Sequence, residues 1–369
     1  MTATAEKQST QSLDTVVLRT DPTRLDRVFA RLGERVTAGA LPVAALAIGD
    51  EQGLIKRATF SSGRRPLDPE SYFFLASVTK PIIAVAFMQL VEDGLIGLHQ
   101  PIAELEPRMR SDGKETITPW HVLTHTSGLA DFVPSVIARK RPNAGQMIQT
   151  MLESPLRFEP GTWWEYCSAS YYLLTMLMER LSGLPYLQFL DERLYRPLGM
   201  HTTFDPRRAR RPIVAVEGVG IDSWWRRRLV LRYMARAALP GGGLFGTLDD
   251  LMRIGAALLM PRDIDGRSRP LRAETVALMG EDHTGGMFGN DDGQVARIHH
   301  GLGWSKPTLN RRWDAPGSSK VVAHGGASGT QLWIDPDARL VFVFFSNLWS
   351  PDRRSEYEAI TGTYEAMTP

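Results

Sequence analysis

The sequence predicts a mixed α/β protein whose sheet is assembled from both ends of the chain around a mainly helical insert. Three observations carry this. Two apolar runs, Pro42–Gly49 and Leu54–Ser61, flank the turn residues 50–53 and read as a β-hairpin. Near the C-terminus SKVVAHGG, GTQLWIDP and RLVFVFFSN form three closely spaced strand candidates, separated by the turn-like GGASG and DPDA. Between the two groups the apolar residues recur mostly at helical spacing. Strands at both ends of a helical middle point to one sheet with an insertion.

Taken in order, residues 1–20 read as a polar tail and Pro22–Ala38 as a helix. The hairpin follows. FFLASVTK then leads into a long apolar helix, Val78–Glu92, closed by Asp93-Gly94. The segment 101–239 is read as the helical insert, with helices in PWHVLTHTSG (Pro119–Gly128), around Gly145–Leu152 and over Ser168–Gly183. Residues 21–100 and 240–369 are read as the discontinuous α/β domain. The tract Gly241–Leu259 is a glycine turn opening into an amphipathic helix, with Asp249 and Asp250 in the first turn, where negative charge suits the helix dipole. Met260–Trp304 reads as long loops.

Composition narrows the function. With 369 residues, 43% hydrophobic and 23% charged, the chain is ordinary globular protein, which excludes collagen-like, coiled-coil and long disordered architectures. The single cysteine, Cys167, excludes an intramolecular disulfide and any cysteine-built metal cage. The first twenty residues carry Glu6 and Asp14 and no apolar core, so no signal peptide is expected. The longest uncharged apolar run, Pro81–Val91, is far short of the roughly 20 residues of a spanning helix. A cytoplasmic protein without a membrane partner is the expectation. From Pro206 to Arg236 nine arginines stand against Glu217 and Asp222. Such a block suits an acidic partner, but a formal net charge of only +2 favours a solvated surface, and no nucleic-acid partner is expected. No motif speaks to oligomeric state.

Three motifs carry chemistry. In Ser77-Val78-Thr79-Lys80 a spacing of three on a helix puts both side chains on one face, about 5–6 Å apart at Cβ. The amine reaches the hydroxyl, and a helix start supplies unpaired N–H groups and a positive dipole end for a developing oxyanion. Tyr166-Cys167-Ser168 is the second. A tyrosine beside a lysine ammonium has its phenolate favoured and serves as a base on serine. The third is His324-Gly325-Gly326-Ala327, where side-chain-free glycines at a strand edge let a substrate carbonyl approach the Ala327 N–H. None is sufficient alone: a buried tyrosine and a β-turn with a surface histidine are the commoner explanations of the second and third, and the first spacing also arises by chance.

Together and in this order, with Tyr166 following Ser77 by 89 residues and His324 a further 158 on, the motifs resemble the class C β-lactamase-related serine hydrolases. That group also holds DD-peptidases, esterases of β-lactamase fold and some acyltransferases. Flanking segments agree from roughly Leu41 to Asn347: HVLTHTSGL, PGTWWEYCSASYYLL, GGGLFGTLDDLMRIG and HGGASGTQLWIDPDARLVFVFFSN. The resemblance implies a β-lactamase/transpeptidase-like fold: an antiparallel sheet flanked by helices, an inserted helical domain, and the site in the cleft between them. It implies Ser77 as nucleophile, Lys80 and Tyr166 as its proton-handling partners, and the N–H groups of Ser77 and Ala327 as the oxyanion hole. Ser168, His324, Gly325 and Gly326 become substrate contacts, and no cofactor or metal is required.

Two departures bear on substrate. True β-lactamases of this type carry Lys-Thr-Gly where this chain has His-Gly-Gly, and a histidine is a poorer, pH-dependent counter-ion for a substrate carboxylate. Ser168 replaces the usual asparagine, removing an amide that would bond an acylamino side chain. The expected function is therefore a carboxylesterase on small or medium acyl esters, working through an acyl-enzyme. An acyltransferase and a weak β-lactamase or D-amino-acid peptidase use the same machinery, and a catalytically silent binding protein of this fold is the remaining alternative.

Other features are set aside. Ser111-Asp112-Gly113-Lys114 repeats the Ser-x-x-Lys spacing but in a polar turn without an apolar helix after it. His121 and His125 have a zinc-like i, i+4 spacing, yet lack the glutamate of His-Glu-x-x-His and a third ligand. Gly241–Gly246 matches a dinucleotide fingerprint without the preceding strand. Cys167 reads as a small buried filler. Trp163, Trp164, Trp224 and Trp225 suit either an acyl pocket or the core.

Overall fold

The computed structural model describes residues 20–63, 67–131, 141–219, 223–259, 270–291, 293–310 and 314–367. Residues 1–19 of the expected polar tail and 260–269 of the expected loops lie outside the described residues. Helix α1 (Pro22–Thr37) begins where the Asp21 carboxylate accepts the N–H groups of Thr23 and Arg24, with Pro22 at a position that needs no donor. Its Leu25, Val28, Phe29, Leu32 and Val36 recur at spacings of three and four, one buried stripe. The expected hairpin is β1 (Val43–Asp50) with β2 (Gly53–Ser61).

The chain then enters the two-residue strand β3 (Phe73–Phe74), a single 3-10 turn at Ala76–Val78 and α2 (Thr79–Glu92). Helix α2 is buried on nearly all sides, as its almost uninterrupted apolar sequence requires. Short helix α3 (Pro119–Leu123), α4 (Ala144–Glu153), strand β4 (Trp164–Glu165), α5 (Tyr171–Ser182) and α6 (Trp224–Ala237) follow. Strand β5 (Phe245–Gly246) pairs with β3, and α7 (Leu248–Leu259) opens with Asp250 accepting the Thr247 N–H at 3.0 Å.

The expectation of long loops over Met260–Trp304 is corrected. Helix α8 (Ala273–Gly280) and the hairpin β6 (Met287–Asp291) with β7 (Gln294–Ile298) lie there. The hairpin escaped sequence reading because Gly289, Asn290, Asp291 and Gln294 are poor strand formers; β6 pairs locally with β7 and also in parallel with β4, Trp164 opposite Gly289. Strands β8 (Val322–Gly326), β9 (Thr330–Asp335) and β10 (Leu340–Ser346) form the expected meander, and α9 (Arg354–Ala366) ends the described chain.

The five-stranded sheet has the order β2-β1-β10-β9-β8, antiparallel throughout. The two chain ends meet at β1 and β10, Ala45 opposite Phe345. Strand β1 is buried at all eight positions because both sheet faces are covered. Ala44, Leu46 and Ile48 pack with Phe29, Leu32 and Ile360 under α1 and α9, while Ala45 and Ala47 face the larger core that holds α2 and α7. Among the described residues no helix is long and apolar enough to cross a membrane.

Candidate active site

The 3-10 turn carrying Ser77 sits at the junction of three segments, and hydroxyls fasten it. Thr79 Oγ1 donates to the Ala76 carbonyl at 2.6 Å, Thr330 Oγ1 to the Leu75 carbonyl at 2.8 Å, and Ser328 Oγ to the Phe74 carbonyl. Ala76 has φ 46°, a left-handed conformation that costs an alanine about 1–3 kcal/mol and persists only when its surroundings over-determine it. The β8–β9 turn is one of those surroundings. A methyl group on Gly326 would overlap the Leu75 carbonyl and Thr330 Oγ1, so this close approach needs a glycine.

Lys80, in the first turn of α2, is 0% exposed. Its Nζ donates to Ser77 Oγ at 3.4 Å, to Ser168 Oγ at 3.1 Å and to the Gly241 carbonyl. Three neutral acceptors match the three protons of an ammonium. The same nitrogen lies 4.5 Å from the centroid of the Tyr166 ring and 5.6 Å from that of Tyr171. The three expected groups, Ser77, Lys80 and Tyr166, are thus brought together, with Ser168 beside them. Ser168 is itself held by its N–H, which donates to Asp131 Oδ2 at 2.9 Å. The glycine tract Gly241–Gly243 packs on this motif: the Leu244 carbonyl accepts the Leu75 N–H at 2.9 Å and its N–H donates to Thr79 Oγ1 at 3.1 Å.

His324 differs from expectation. Its ring is buried, Nδ1 lies 2.9 Å from the Gly325 carbonyl, and burial followed by the Lys80 charge pushes its pKa down to about 3. A ring that stays neutral through the physiological range is no counter-ion at all, so the pH-dependent counter-ion is corrected to an uncharged contact. Arg353 lies behind the motif, against Gly325 and Gly326. It is already engaged, Nη2 donating to the Gly326 carbonyl at 3.0 Å and Nη1 to Gln331 Oε1 at 3.2 Å and Glu356 Oε2 at 3.0 Å. Ala327 lies in the β8–β9 turn, where its carbonyl accepts the Ser350 N–H at 2.6 Å.

The features set aside resolve physically. Helix α3 stops at Leu123, so His121 and His125 do not share a helix face. His121 Nδ1 accepts the Thr118 N–H at 3.1 Å as part of a cap, while His125 is buried against Tyr166. Cys167 is buried and burial pushes its thiol up to about 12, which suits a filler. Trp164 is buried 6.0 Å from the His125 ring, Trp163 is half-buried, and Trp225 is exposed with Arg226 stacked 5.3 Å from its ring centroid. The Trp224 side chain lies outside what is described. Of the α6 arginines, Arg226, Arg228, Arg232 and Arg236 are exposed and Arg227 is partly buried.

In the second Ser-x-x-Lys, Ser111–Gly113 are exposed as a surface turn should be, but Lys114 is only 1% exposed. Positive φ at Asp112 and Gly113 swings the chain back, so the residue after the turn faces inward. The structure also places here His125, His300 (its ring 5.2 Å from that of His125), Asp131 and Arg353, none of which sequence reasoning gave a role in this site. The first and third lie in the HTSGLAD segment, whose backbone turn at His125 (φ 59°) hides its purpose; Arg353 joins the site only through tertiary contact.

This arrangement, a serine and lysine on a helix start facing a tyrosine with a glycine-lined strand edge opposite, defines a class. Residues 25–364 match the Beta-lactamase family, and the chain belongs to it as a serine hydrolase. Among curated relatives, Esterase EstB of Burkholderia gladioli is 27% identical, the match covering 98% of this chain and 97% of the relative. Among solved structures, a penicillin-binding protein homolog from Caulobacter crescentus superposes with a TM-score of 0.78 at 18% identity, covering 96% of this chain and 100% of that one. A family VIII carboxylesterase gives 0.77 at 18% identity, covering 95% and 99%.

Proposed function

We propose that this chain is a carboxylesterase of small or medium acyl esters that works through an acyl-enzyme on Ser77. The observation that carries the reading is the Lys80 amine, which reaches Ser77 Oγ while facing the Tyr166 ring. In this reading Ser77 Oγ attacks the acyl carbon as its proton passes to Tyr166 Oη. The N–H groups of Ser77 and Ala327 hold the tetrahedral oxyanion, each worth about 2.7–4 kcal/mol. Tyr166 returns the proton to the departing alcohol, then takes one from the water that cleaves the acyl-serine and hands it to the released Ser77 Oγ, restoring the resting state. Lys80 supplies the positive charge beside this proton path, and Ser168 keeps its ammonium in place.

Substrate enters, in this reading, through the cleft between the sheet-bearing part (21–100 and 240–369) and the helical segment (101–239). The uncharged His324 and the engaged Arg353 favour neutral esters over substrates with a carboxylate next to the scissile bond, the hallmark of penicillins and D-alanyl peptides. His324, Gly325 and Gly326 shape the acyl side of the pocket rather than pairing with a charge.

The test is to incubate the protein and its Ser77→Ala variant with p-nitrophenyl butyrate, nitrocefin and a fluorophosphonate, following intact mass and product release together. A Ser77-dependent adduct with fast ester turnover and slow nitrocefin turnover is expected. An adduct without ester hydrolysis would redirect the reading to acyl transfer, and no adduct would leave a non-catalytic member of the family.

A further inference from the structure

His125 belongs to none of the three motifs, yet its carbonyl, its ring Nδ1 and its ring face all meet Tyr166 or its chain neighbours. Its carbonyl accepts the N–H of Glu165 at 3.0 Å, and its ring Nδ1 accepts the N–H of Cys167 at 3.2 Å. One residue therefore fixes both chain neighbours of Tyr166. Its ring then lies against the Tyr166 ring itself, centroids 4.6 Å apart and planes tilted by 38°. The left-handed backbone at φ 59° is what lets carbonyl and ring serve the same strand at once, a conformation a non-glycine residue adopts at a cost.

The chemistry of the ring agrees. Because Nδ1 accepts a backbone N–H, the neutral imidazole carries its proton on Nε2, which is buried without a partner among the described residues. The residue is 1% exposed, and burial, followed by the nearby His300 and Lys80, holds the ring uncharged. A charged ring could not accept from Cys167, so neutrality is what keeps the clamp closed.

We infer that His125 is a positioning residue that clamps Tyr166 from both chain neighbours and from its ring face, aiming the phenol at Ser77. The inference rests on the reading of Tyr166 as the base. A displaced base loses rate steeply, because an error of about 1 Å in a reacting group costs on the order of 100-fold.

The experiment uses the full chain with p-nitrophenyl butyrate, measuring kcat, KM and thermal unfolding for His125→Phe, His125→Asn, Tyr166→Phe, Ser77→Ala and the two His125/Tyr166 doubles. His125→Phe keeps an aromatic face but leaves the Cys167 N–H unpaired, and should lower kcat by about 100-fold with KM within about twofold. His125→Asn restores an acceptor and tolerates the left-handed backbone, so it should recover part of that loss. On the Tyr166→Phe background neither change should alter the residual rate, since there is no base left to aim.

Wild-type kcat in both His125 variants, or effects that add in full to Tyr166→Phe, would overturn the inference while leaving the base assignment standing. Full activity in Tyr166→Phe, with Ser77→Ala inactive, would remove the base assignment and the clamp together. Should the variants fail to fold, nitrogen NMR of histidine-labelled wild-type protein near neutral pH decides. A proton on Nε2 and a bare Nδ1 at His125 support the clamp, and a protonated Nδ1 overturns it.

Discussion

Two copies of Ser-x-x-Lys stand 34 residues apart in this chain, Ser77–Lys80 and Ser111–Lys114, and only one has the makings of a catalytic pair. In the first the backbone coils from a 3-10 turn into α2, so serine and lysine meet at 3.4 Å, and the ammonium finds two more oxygens from segments 88 and 161 residues away. In the second the backbone reverses at Asp112 and Gly113. Ser111 Oγ then spends its proton on Asp112 Oδ2 at 2.9 Å, and the lysine leaves in another direction. Identical spacing thus produces a converging pair or a diverging one according to the φ values between. The polar Asp-Gly of the second copy is what forbids the helix.

The strongest way to break this comparison is to truncate both serines. Ser77→Ala should lower kcat for p-nitrophenyl butyrate by about five to six orders of magnitude, the scale seen when a nucleophile is removed. Ser111→Ala should leave kcat and KM unchanged; a loss there would show that the copies are not so different. Next in size is the acid limb of stability. Burial around the first copy lowers the pKa of His324 to about 3 and of His300 to about 4, against 6.5 when unfolded. A lowered folded pKa means the unfolded chain binds more protons, so stability present above pH 6.5 is lost as the pH falls towards 4. Each histidine then withdraws about 2 kcal/mol by pH 5. Unfolding monitored from pH 7 to pH 4 should show this fall, and a flat profile would mean that water reaches these rings more than their burial implies.

Glycine substitutions sharpen the contrast at smaller scale. Gly326→Ala would force the β8–β9 turn away from Leu75 and should cost about 1–3 kcal/mol of stability together with ester turnover. Gly113→Ala, where φ is 75° and the methyl would meet the flexible Leu156 side chain at 3.3 Å, should cost about 1 kcal/mol, mainly the strain of a left-handed alanine, and no turnover. Of similar size is Lys114→Ala. Removing a buried aliphatic stem should lower stability by about 1 kcal/mol without touching kcat, as thermal unfolding and steady-state kinetics on one preparation would show.

Much of this was legible beforehand for a local reason. The hairpin strands alternate or saturate with apolar residues and are bounded by turn formers, and α2 announces itself by an apolar run closed with Asp93-Gly94, so their positions follow from neighbours in sequence. The β6–β7 hairpin was not, because its strands carry Gly289, Asn290, Asp291 and Gln294, which read as loop, and only the added edge of Trp164–Glu165, more than a hundred residues earlier, completes its sheet. His125 was misleading: its spacing from His121 suggested a helix face, and the helix ends before reaching it.

The sequence by itself determined the antiparallel sheet drawn from both chain ends and the residues Ser77, Lys80, Tyr166 and His324 as candidates, since periodicity, turn chemistry and motif order are properties of short stretches. Tertiary structure alone decided what surrounds them. It brought Gly241 to the Lys80 ammonium across 161 residues and Thr330 to the Leu75 carbonyl across 255, engaged Arg353 with Glu356, and buried His324 until it could no longer carry charge. Desolvation and hydrogen-bond saturation depend on every segment that closes over a site, and no local stretch of sequence records which segments those are.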